Sequence, residues 1–161
     1  MCEQCGCRGV RPIAELMDEH YVLLDLAGDI RRSLAAGDHP AAEAALRRLA
    51  RLLARHVGRE ERGVLAAVKQ QGDFAEAAEK LEDEHTFLDR ELDRLDVADP
   101  AFPVRALSLL DALAEHIDRE NLGVFPVAVV TLGAAGWETV GQAHAEQPSF
   151  LTDEAAAPGP S

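Results

Sequence analysis

Aromatic residues are scarce in this chain of 161 residues and make up only 4% of it. Alanine, leucine, arginine and glutamate dominate instead, and this balance favours helices over sheets. Long apolar runs are missing too: no stretch of about eighteen uncharged apolar residues occurs, so the sequence predicts no transmembrane helix. The N-terminal residues lack the apolar core of a secretory signal, and we therefore expect a cytoplasmic protein.

Basic residues are few relative to acidic ones. The chain has 16 lysines and arginines against 29 aspartates and glutamates, which gives a formal net charge of −13 at pH 7. A general nucleic-acid binder needs a basic face to meet phosphates, and an anionic membrane surface would repel this chain. We therefore expect neither a nucleic acid nor a membrane as a partner, and the sequence does not identify a protein partner.

Glycine and proline divide the chain into four segments of helical length. The predicted helices cover Ile13 to Ala36, Ala41 to Gln71, Phe74 to Leu95 and about Phe102 to Leu132, followed by a short helix from Trp137 to His144. Pro126 is expected to bend the fourth helix near its end. The predicted fold is an all-α, up-and-down antiparallel four-helix bundle with a short C-terminal helix. The predicted domain limits are a cysteine-rich arm over residues 1–10, the bundle over 11–145 and a disordered tail over 146–161.

Each of the four long helices carries a histidine on the apolar stripe that faces the core. These histidines are His20, His56, His85 and His116. In the second and fourth helices a glutamate follows one turn later, at Glu60 and Glu120, on the same face. Buried imidazoles and carboxylates are unfavourable unless they are hydrogen-bonded or hold a metal. Six such groups on core positions predict a bound pair of metal ions.

The spacing from the turns places the four histidines at one depth in the bundle. Short loops make neighbouring helices antiparallel, so residues at the same level lie equally far from the turn that joins their helices. With turn centres at Asp38, Gly72 and Pro100, the histidines lie 13 to 18 residues from the adjacent turns. The largest mismatch is about one helical turn. We therefore expect all four imidazoles in one layer.

The donor set narrows the choice of metal without deciding it. Imidazole nitrogen suits iron, zinc, copper or nickel, and carboxylate oxygen suits harder ions and bridges two of them well. Manganese or zinc could therefore also fill this site. A set of hydrogen-bonded polar residues without metal is the simplest alternative, but it does not explain why six such residues are aligned.

The order of these residues resembles the hemerythrin-like, or HHE cation-binding, domain of the bacterial type. The resemblance rests on the pattern His…His-x-x-x-Glu…His…His-x-x-x-Glu and on four local strings. These strings are Glu19-His20, His56 to Glu61, Leu81 to His85, and His116 to Pro126. The resemblance covers roughly residues 11 to 145 and implies a non-haem diiron centre in a four-helix bundle.

The resemblance also implies how the ligands are shared. His20 and His56 would hold one iron, and His85 and His116 the other. Glu60 and Glu120 would bridge the two irons together with an oxo or hydroxo group.

One position departs from the family pattern. Animal hemerythrins have a fifth histidine on the third helix, one turn after its first ligand, and here that position is Asp89. Asp89 is a candidate additional ligand, with water or an open position as the alternative, and Glu61 and Glu84 are further candidates. An open or oxygen-liganded position favours redox chemistry or sensing over reversible carriage of dioxygen.

The same ligands are compatible with more than one function. The first hypothesis is a protein that binds dioxygen, nitric oxide or peroxide at the diiron centre in oxygen or redox sensing. The second is a diiron enzyme that scavenges hydrogen peroxide or reduces nitric oxide. Iron storage is a third, although nothing in the sequence indicates a large cavity or a cage. A metal-free interaction module leaves the polar residues at core positions unexplained.

All the cysteines of the chain fall within its first seven residues, at Cys2, Cys5 and Cys7. In a cytosolic protein, closely spaced thiols indicate metal binding or redox chemistry more than structural disulfides. Three thiolates leave a zinc or iron–sulfur site one ligand short, and His144 could complete it because both termini of the bundle lie at one end. A zinc site, a reversible disulfide and an unstructured arm remain as alternatives.

Overall fold

The computed structural model describes residues 6–156, with side chains through Asp153. A short 3₁₀ turn at Cys7–Gly9 precedes α1 (Arg11–Ala35), α2 (His39–Arg62), α3 (Val64–Gln71), α4 (Ala75–Asp93), α5 (Phe102–Arg119), a π-helical turn (Glu120–Val124), α6 (Phe125–Thr131), α7 (Ala134–Glu146) and α8 (Leu151–Ala156). Over this range the chain is all-helical, as predicted. Within the same range, no helix combines the length and apolar character needed to cross a membrane.

Four antiparallel segments form the bundle. They are α1, α2 continued by α3, α4, and α5 continued by the π turn and α6. α1 packs on α2 and α5, while α4 packs on α2, α3 and α5, so the segments close into a ring. α7 packs across α3 and also contacts α1 and α2. The predicted four-helix bundle with an additional C-terminal helix is confirmed.

The turn between α1 and α2 shows why the helices begin and end where they do. Gly37 adopts a φ of 72°, a left-handed conformation that glycine accepts without a steric penalty. The Asp38 carboxylate then accepts a hydrogen bond from the backbone N–H of Ala41 at 3.1 Å and caps α2. Pro40 lies in the first turn, where its missing N–H leaves no helical bond unmade.

Two predicted helices are interrupted close to the polar layer. The second does not run unbroken to Gln71 but stops at Arg62, and Gly63 separates α2 from α3. A Cβ at Gly63 would lie 2.7 Å from the backbone oxygen of Arg59, so this close approach requires glycine. The fourth predicted helix widens into the π turn just before Pro126, whose ring and missing N–H disfavour a regular α-helix there.

The polar layer lies between two apolar clusters. The first is built from residues such as Leu23, Leu49 and Leu113, and the second from residues such as Ile13, Leu65 and Phe125. In α1, for example, Met17 belongs to the second cluster and Leu23 to the first, with His20 between them. The polar layer therefore interrupts the apolar core and is bounded by packed apolar side chains on both sides.

The prediction of a disordered tail from residue 146 is wrong for the part that the structure describes. Phe150 is fully buried in the first apolar cluster, Ser149 is buried, and α8 follows. The Arg55 guanidinium donates to the Pro148 carbonyl at 3.2 Å and pairs with Asp153. Proline and small polar residues in this segment led to the prediction of disorder. The prediction failed because one buried aromatic side chain is enough to anchor a terminal segment.

Candidate metal centre

The bundle brings the four predicted histidines into one buried layer as two pairs. The ring centroids of His20 and His56 lie 4.6 Å apart, and those of His85 and His116 are also 4.6 Å apart. All four side chains are buried. The first pair comes from α1 and α2 and the second from α4 and α5, so the pairs face each other across the bundle.

Glu60 connects the two histidine pairs. Its Oε1 lies 3.0 Å from His56 Nε2 and 3.5 Å from His20 Nε2, while its Oε2 lies 3.4 Å from His85 Nε2. One oxygen of this carboxylate therefore faces each pair.

Glu120 makes the same connection from the π turn that follows α5. Its Oε2 lies 3.0 Å from His20 Nε2, and its Oε1 lies 2.9 Å from His116 Nε2 and 3.3 Å from His85 Nε2. The result is two overlapping groups able to hold metal ions, in each of which four ligand atoms lie within 4.8 Å of one another. The groups are His20, His56, Glu60 and Glu120, and Glu60, His85, His116 and Glu120.

Several atoms at the centre of this layer are buried without a hydrogen-bond partner. They are Nε2 of His20 and His56, both carboxylate oxygens of Glu60, and Oε2 of Glu120. The atoms approach one another closely, but not with hydrogen-bond geometry. A buried polar atom without a partner is unfavourable by about 1–3 kcal/mol, and a metal ion removes that penalty for each ligand atom at once. The residues therefore fit a pair of bound ions.

Each of the four candidate ligand histidines is oriented by an acceptor on a neighbouring segment. The Nδ1–H groups donate as follows: His20 to Asn121 Oδ1 at 2.9 Å, His56 to Glu19 Oε2 at 2.6 Å, His85 to Glu61 Oε1 at 3.0 Å, and His116 to Glu84 Oε2 at 2.7 Å. These bonds hold each ring in the tautomer that presents Nε2 to the centre. The acceptors pass from helix to helix around the bundle and form a closed ring.

The ring of acceptors follows from helix geometry. Each acceptor is the sequence neighbour of a ligand: Glu19 precedes His20, Glu84 precedes His85, Glu61 follows Glu60, and Asn121 follows Glu120. Adjacent residues on a helix point about 100° apart, so the neighbour of an inward ligand faces the next helix. The sequence interpretation treated Glu61 and Glu84 as reserve ligands and did not consider Glu19 and Asn121 as acceptors. Their adjacency to the ligands was the available signal.

A buried arginine supports the acceptor of His56. Arg59 is fully buried, and its Nε lies 3.1 Å from Glu19 Oε1. Its guanidinium also pairs with Glu15 and donates to the backbone oxygen of Gln147 at 2.6 Å. Sequence reasoning missed Arg59 because arginine is rarely fully buried and this one is compensated by groups on α1 and beyond α7.

Burial and the carboxylates act in opposite directions on the pKa values of the histidines. Burial alone would lower the pKa of His20, but Glu120 and Glu60 outweigh it and raise the pKa to about 10. Burial also opposes the charged form of His85, whose pKa Glu120, Glu60 and Glu61 nevertheless raise to about 12. Burial and Glu60 would raise the pKa of Glu120, yet contacts with three histidines lower it to about 2. Protons on the imidazoles therefore balance the carboxylates when no metal is bound.

The metal-free protein is expected to lose stability as the pH rises above neutrality. The raised pKa values of His20 and His85 stabilise the fold fully below pH 6.5, the ordinary value, and this contribution is lost as the pH rises through about 10 and 12. The lowered pKa of Glu120 stabilises the fold above pH 4.5, and that contribution is lost as the pH falls through about 2. Urea unfolding of chelator-treated protein at several pH values measures this directly.

The metal-loaded protein supplies the control for that pH series. Bound metal takes the place of the imidazole protons. The apparent affinity of the protein for metal should therefore rise with pH, and metal binding should release protons. A metal-free protein whose free energy of unfolding rises between pH 6 and pH 9 would contradict the assigned pairing.

The structure does not bring Asp89 into either group. Its side chain is exposed and lines a surface cleft next to His85. Among the residues that the structure describes, neither metal-binding group includes Asp89, Glu61 or Glu84. Glu61 and Glu84 instead accept hydrogen bonds from His85 and His116.

The predicted site at the cysteine arm lies mostly outside the described residues. Cys2 and Cys5 are not described, while Cys7 is buried and disulfide-bonded, so in this state its sulfur is not a thiolate ligand for zinc. His144 Nδ1 accepts a hydrogen bond from Arg59 at 3.3 Å. Burial and the nearby Arg59 charge lower the pKa of His144. The redox role of the arm stays a prediction.

Comparison with known proteins agrees with this geometry. The hemerythrin HHE cation binding domain matches residues 11–128, which include all six ligand candidates and all four acceptors. The comparison with curated proteins found no match, and neither did the comparison with solved structures. The matched region spans most of the chain and contains the buried His/Glu layer, and the chain therefore belongs to the hemerythrin HHE cation-binding domain family.

Proposed function

We propose that this protein holds two iron ions and uses them to bind dioxygen, nitric oxide or peroxide in oxygen or redox sensing. The observation that carries the proposal is that each of the two carboxylates is shared between the two histidine pairs. Glu60 and Glu120 each direct one oxygen toward each histidine pair, an arrangement suited to two adjacent ions rather than one. His20 and His56 would hold the first ion, and His85 and His116 the second.

The donor set favours a redox metal with open positions. Each group offers four ligand atoms, two imidazole nitrogens and two carboxylate oxygens. A six-coordinate ion would keep positions for a small exogenous ligand, as mixed imidazole and carboxylate sites for non-haem iron do. When bound, the iron pair would supply electron transfer and ligand binding.

The surrounding residues position and shield the ligands. The four Nδ1 acceptors fix the direction in which each imidazole presents Nε2, and they raise its basicity as a ligand. Arg59 balances the charge of Glu19 behind His56. The two apolar clusters exclude bulk water on both sides of the layer, which strengthens the electrostatic interactions inside it.

An enzyme that scavenges hydrogen peroxide or reduces nitric oxide is the second candidate. The specific observation in its favour is the exposed position of Asp89, outside both groups and next to His85. With no fifth histidine at this position, the second ion would have an additional site for a reacting molecule. Turnover, rather than a stable adduct, separates this function from sensing.

Metal content together with the visible spectrum tests both candidates. The purified protein should contain two irons per chain, one for each group. Its near-ultraviolet and visible bands should bleach on reduction and change when dioxygen, peroxide or nitric oxide is added. Sustained consumption of peroxide or nitric oxide would favour the enzyme. Protein that takes up no iron on anaerobic reconstitution would contradict the diiron proposal.

A further inference from the structure

The segment that follows α7 packs along α2, although it lies beyond the residues that match the HHE domain, which end at residue 128. We call residues 147–153 the C-terminal strap. Phe150 anchors the strap, because its side chain is fully buried in the first apolar cluster. Arg55 holds the strap from α2: its guanidinium donates to the Pro148 carbonyl and pairs with Asp153. The strap is therefore a packed part of the structure.

A chain of contacts leads from the strap to one of the candidate metal ligands. The Gln147 carbonyl accepts a hydrogen bond from Arg59 Nη1 at 2.6 Å. Arg59 Nε lies 3.1 Å from Glu19 Oε1, and Glu19 Oε2 accepts the Nδ1–H of His56 at 2.6 Å. The side chains of Arg59, Glu19 and His56 are all buried. Because water cannot replace a lost partner at a buried site, displacement of the strap would be felt at His56.

Ser149 adds a second interaction between the strap and the same carboxylate. Ser149 is buried, and it lines one surface cleft together with Arg59. Burial alone would raise the pKa of Glu19, but His56, Ser149 and Arg59 outweigh burial and lower that pKa. Two positions of the strap, 147 and 149, therefore support the acceptor that orients His56.

Among the contacts that the structure describes, the strap supports only one of the four histidines. The acceptors of the other three are Asn121, Glu61 and Glu84, which all belong to the four bundle segments. Glu84, for example, pairs at 3.0 Å with Arg119 of α5 rather than with a residue of the strap. The strap therefore acts on the group formed by His20 and His56 and not on the other histidine pair.

We propose that the C-terminal strap is a positioning element of the metal centre: it holds Arg59 and Glu19 in place behind His56 and so secures the ion of the His20–His56 group. Loss of the outer partner of a ligand histidine weakens metal binding by about 10- to 100-fold. One of the two ions thus depends on a segment outside the matched domain. This inference rests on the proposed function in requiring that two metal ions bind, but it does not require that they are iron.

Two variants that loosen the strap test this inference in the whole chain. Arg55→Ala removes the contacts from α2, and Phe150→Ala removes the apolar anchor. In zinc-loaded protein, each should accelerate the exchange of the His56 Nδ1–H with solvent by roughly tenfold or more, because this proton is then released by local opening of the strap. That acceleration is measured relative to the Nδ1–H groups of His85 and His116, by NMR on isotopically labelled histidines.

Matched controls separate positioning from a general loss of stability. Phe102 is a buried aromatic of the same apolar cluster as Phe150, but it lies in the first turn of α5. Phe102→Ala should lower the unfolding temperature to a similar extent without changing the exchange of His56 relative to the other histidines. Arg47→Ala is the control for Arg55→Ala, because Arg47 also lies on α2 but pairs with Glu43.

Zinc titration in competition with a chelator of known affinity gives the second readout. The wild-type protein should bind two zinc ions, one for each group. Arg55→Ala and Phe150→Ala should each bind one of these ions roughly tenfold or more weakly, and the two controls should bind both ions like the wild type. Ser149→Ala leaves the strap anchored and removes only the hydroxyl beside Glu19, so its effect should have the same direction and be smaller.

The outcomes distinguish a failure of this inference from a failure of the proposed function. If the strap variants change exchange and zinc affinity no more than their controls do, the role of the strap is overturned and the metal centre stands. A wild-type protein that binds two zinc ions but no iron would contradict the diiron proposal alone. A wild-type protein that binds neither metal would contradict both. If Phe150→Ala does not fold, Arg55→Ala and its control decide, because Arg55 lies outside the apolar core.

Discussion

Replacing Glu60 with alanine is expected to leave the protein unable to retain its pair of metal ions. One oxygen of Glu60 lies 3.0 Å from His56 Nε2 and the other 3.4 Å from His85 Nε2, so one substitution removes a ligand atom from both groups. Loss of an outer partner alone weakens metal binding by about 10- to 100-fold, and loss of a shared ligand should exceed the upper end of that range. The protein should keep less than one of its two ions per chain after desalting.

The helix itself should survive this substitution. Alanine is the best helix former, and the apolar clusters on either side of the layer do not include Glu60. Metal analysis and far-ultraviolet circular dichroism therefore separate loss of metal from loss of fold. Glu43→Ala is the matched control, because Glu43 lies on the same helix and pairs only with surface Arg47 among the contacts described. Retention of both ions by Glu60→Ala would contradict the shared-ligand assignment.

Replacing Arg59 with methionine is expected to destabilise the protein by about 3–5 kcal/mol. The substitution keeps much of the side-chain volume but removes one of the two cations beside the buried Glu19 carboxylate, of which only His56 remains. It also leaves the Gln147 carbonyl without its donor. A chain of this size should then unfold at a temperature lower by roughly 6–20 °C. Thermal and urea unfolding, both on metal-free protein, measure this effect without a contribution from metal loss.

A double-mutant cycle identifies the cause of the Arg59 effect. Glu19→Gln removes the carboxylate charge that Arg59 balances, so Arg59→Met combined with Glu19→Gln should be more stable than the sum of the two single effects indicates. Arg47→Met is the surface control, and its exposed ion pair with Glu43 should contribute less than about 1 kcal/mol. Strictly additive effects of Arg59→Met and Glu19→Gln would show that the two side chains do not depend on each other.

The six ligand candidates could be predicted because local rules determine them. His85 recurs on the apolar stripe of its helix, and the helical period places it in the core whatever the neighbouring helices are. Short turns make the helices antiparallel, and distance from those turns then sets the depth of each histidine. Ligand identity and level thus depend on periodicity and chain length, which are properties of the linear sequence.

The positions at which the helices are interrupted were harder to predict from local rules. Glycine occurs inside helices as well as at breaks, and what makes Gly63 a break is the approach of the Arg59 carbonyl within 2.7 Å of where a Cβ would lie. Pro126 correctly indicated an irregularity in the last helix. That it takes the form of a π turn carrying Glu120 and Asn121 inward depends on the packing around it.

The partnerships around the ligands were decided by the tertiary structure alone. The helical period shows that Glu19 points away from His20, but the packing of α1 against α2 determines that it meets His56. The same holds for Arg59, whose partners come from positions 15, 19 and 147. The sequence by its period therefore specifies the fold, the six ligand candidates and their common layer. The identity of the acceptor that orients each imidazole, and of the charge that compensates each buried group, depends on contacts between distant segments. No local pattern encodes those contacts.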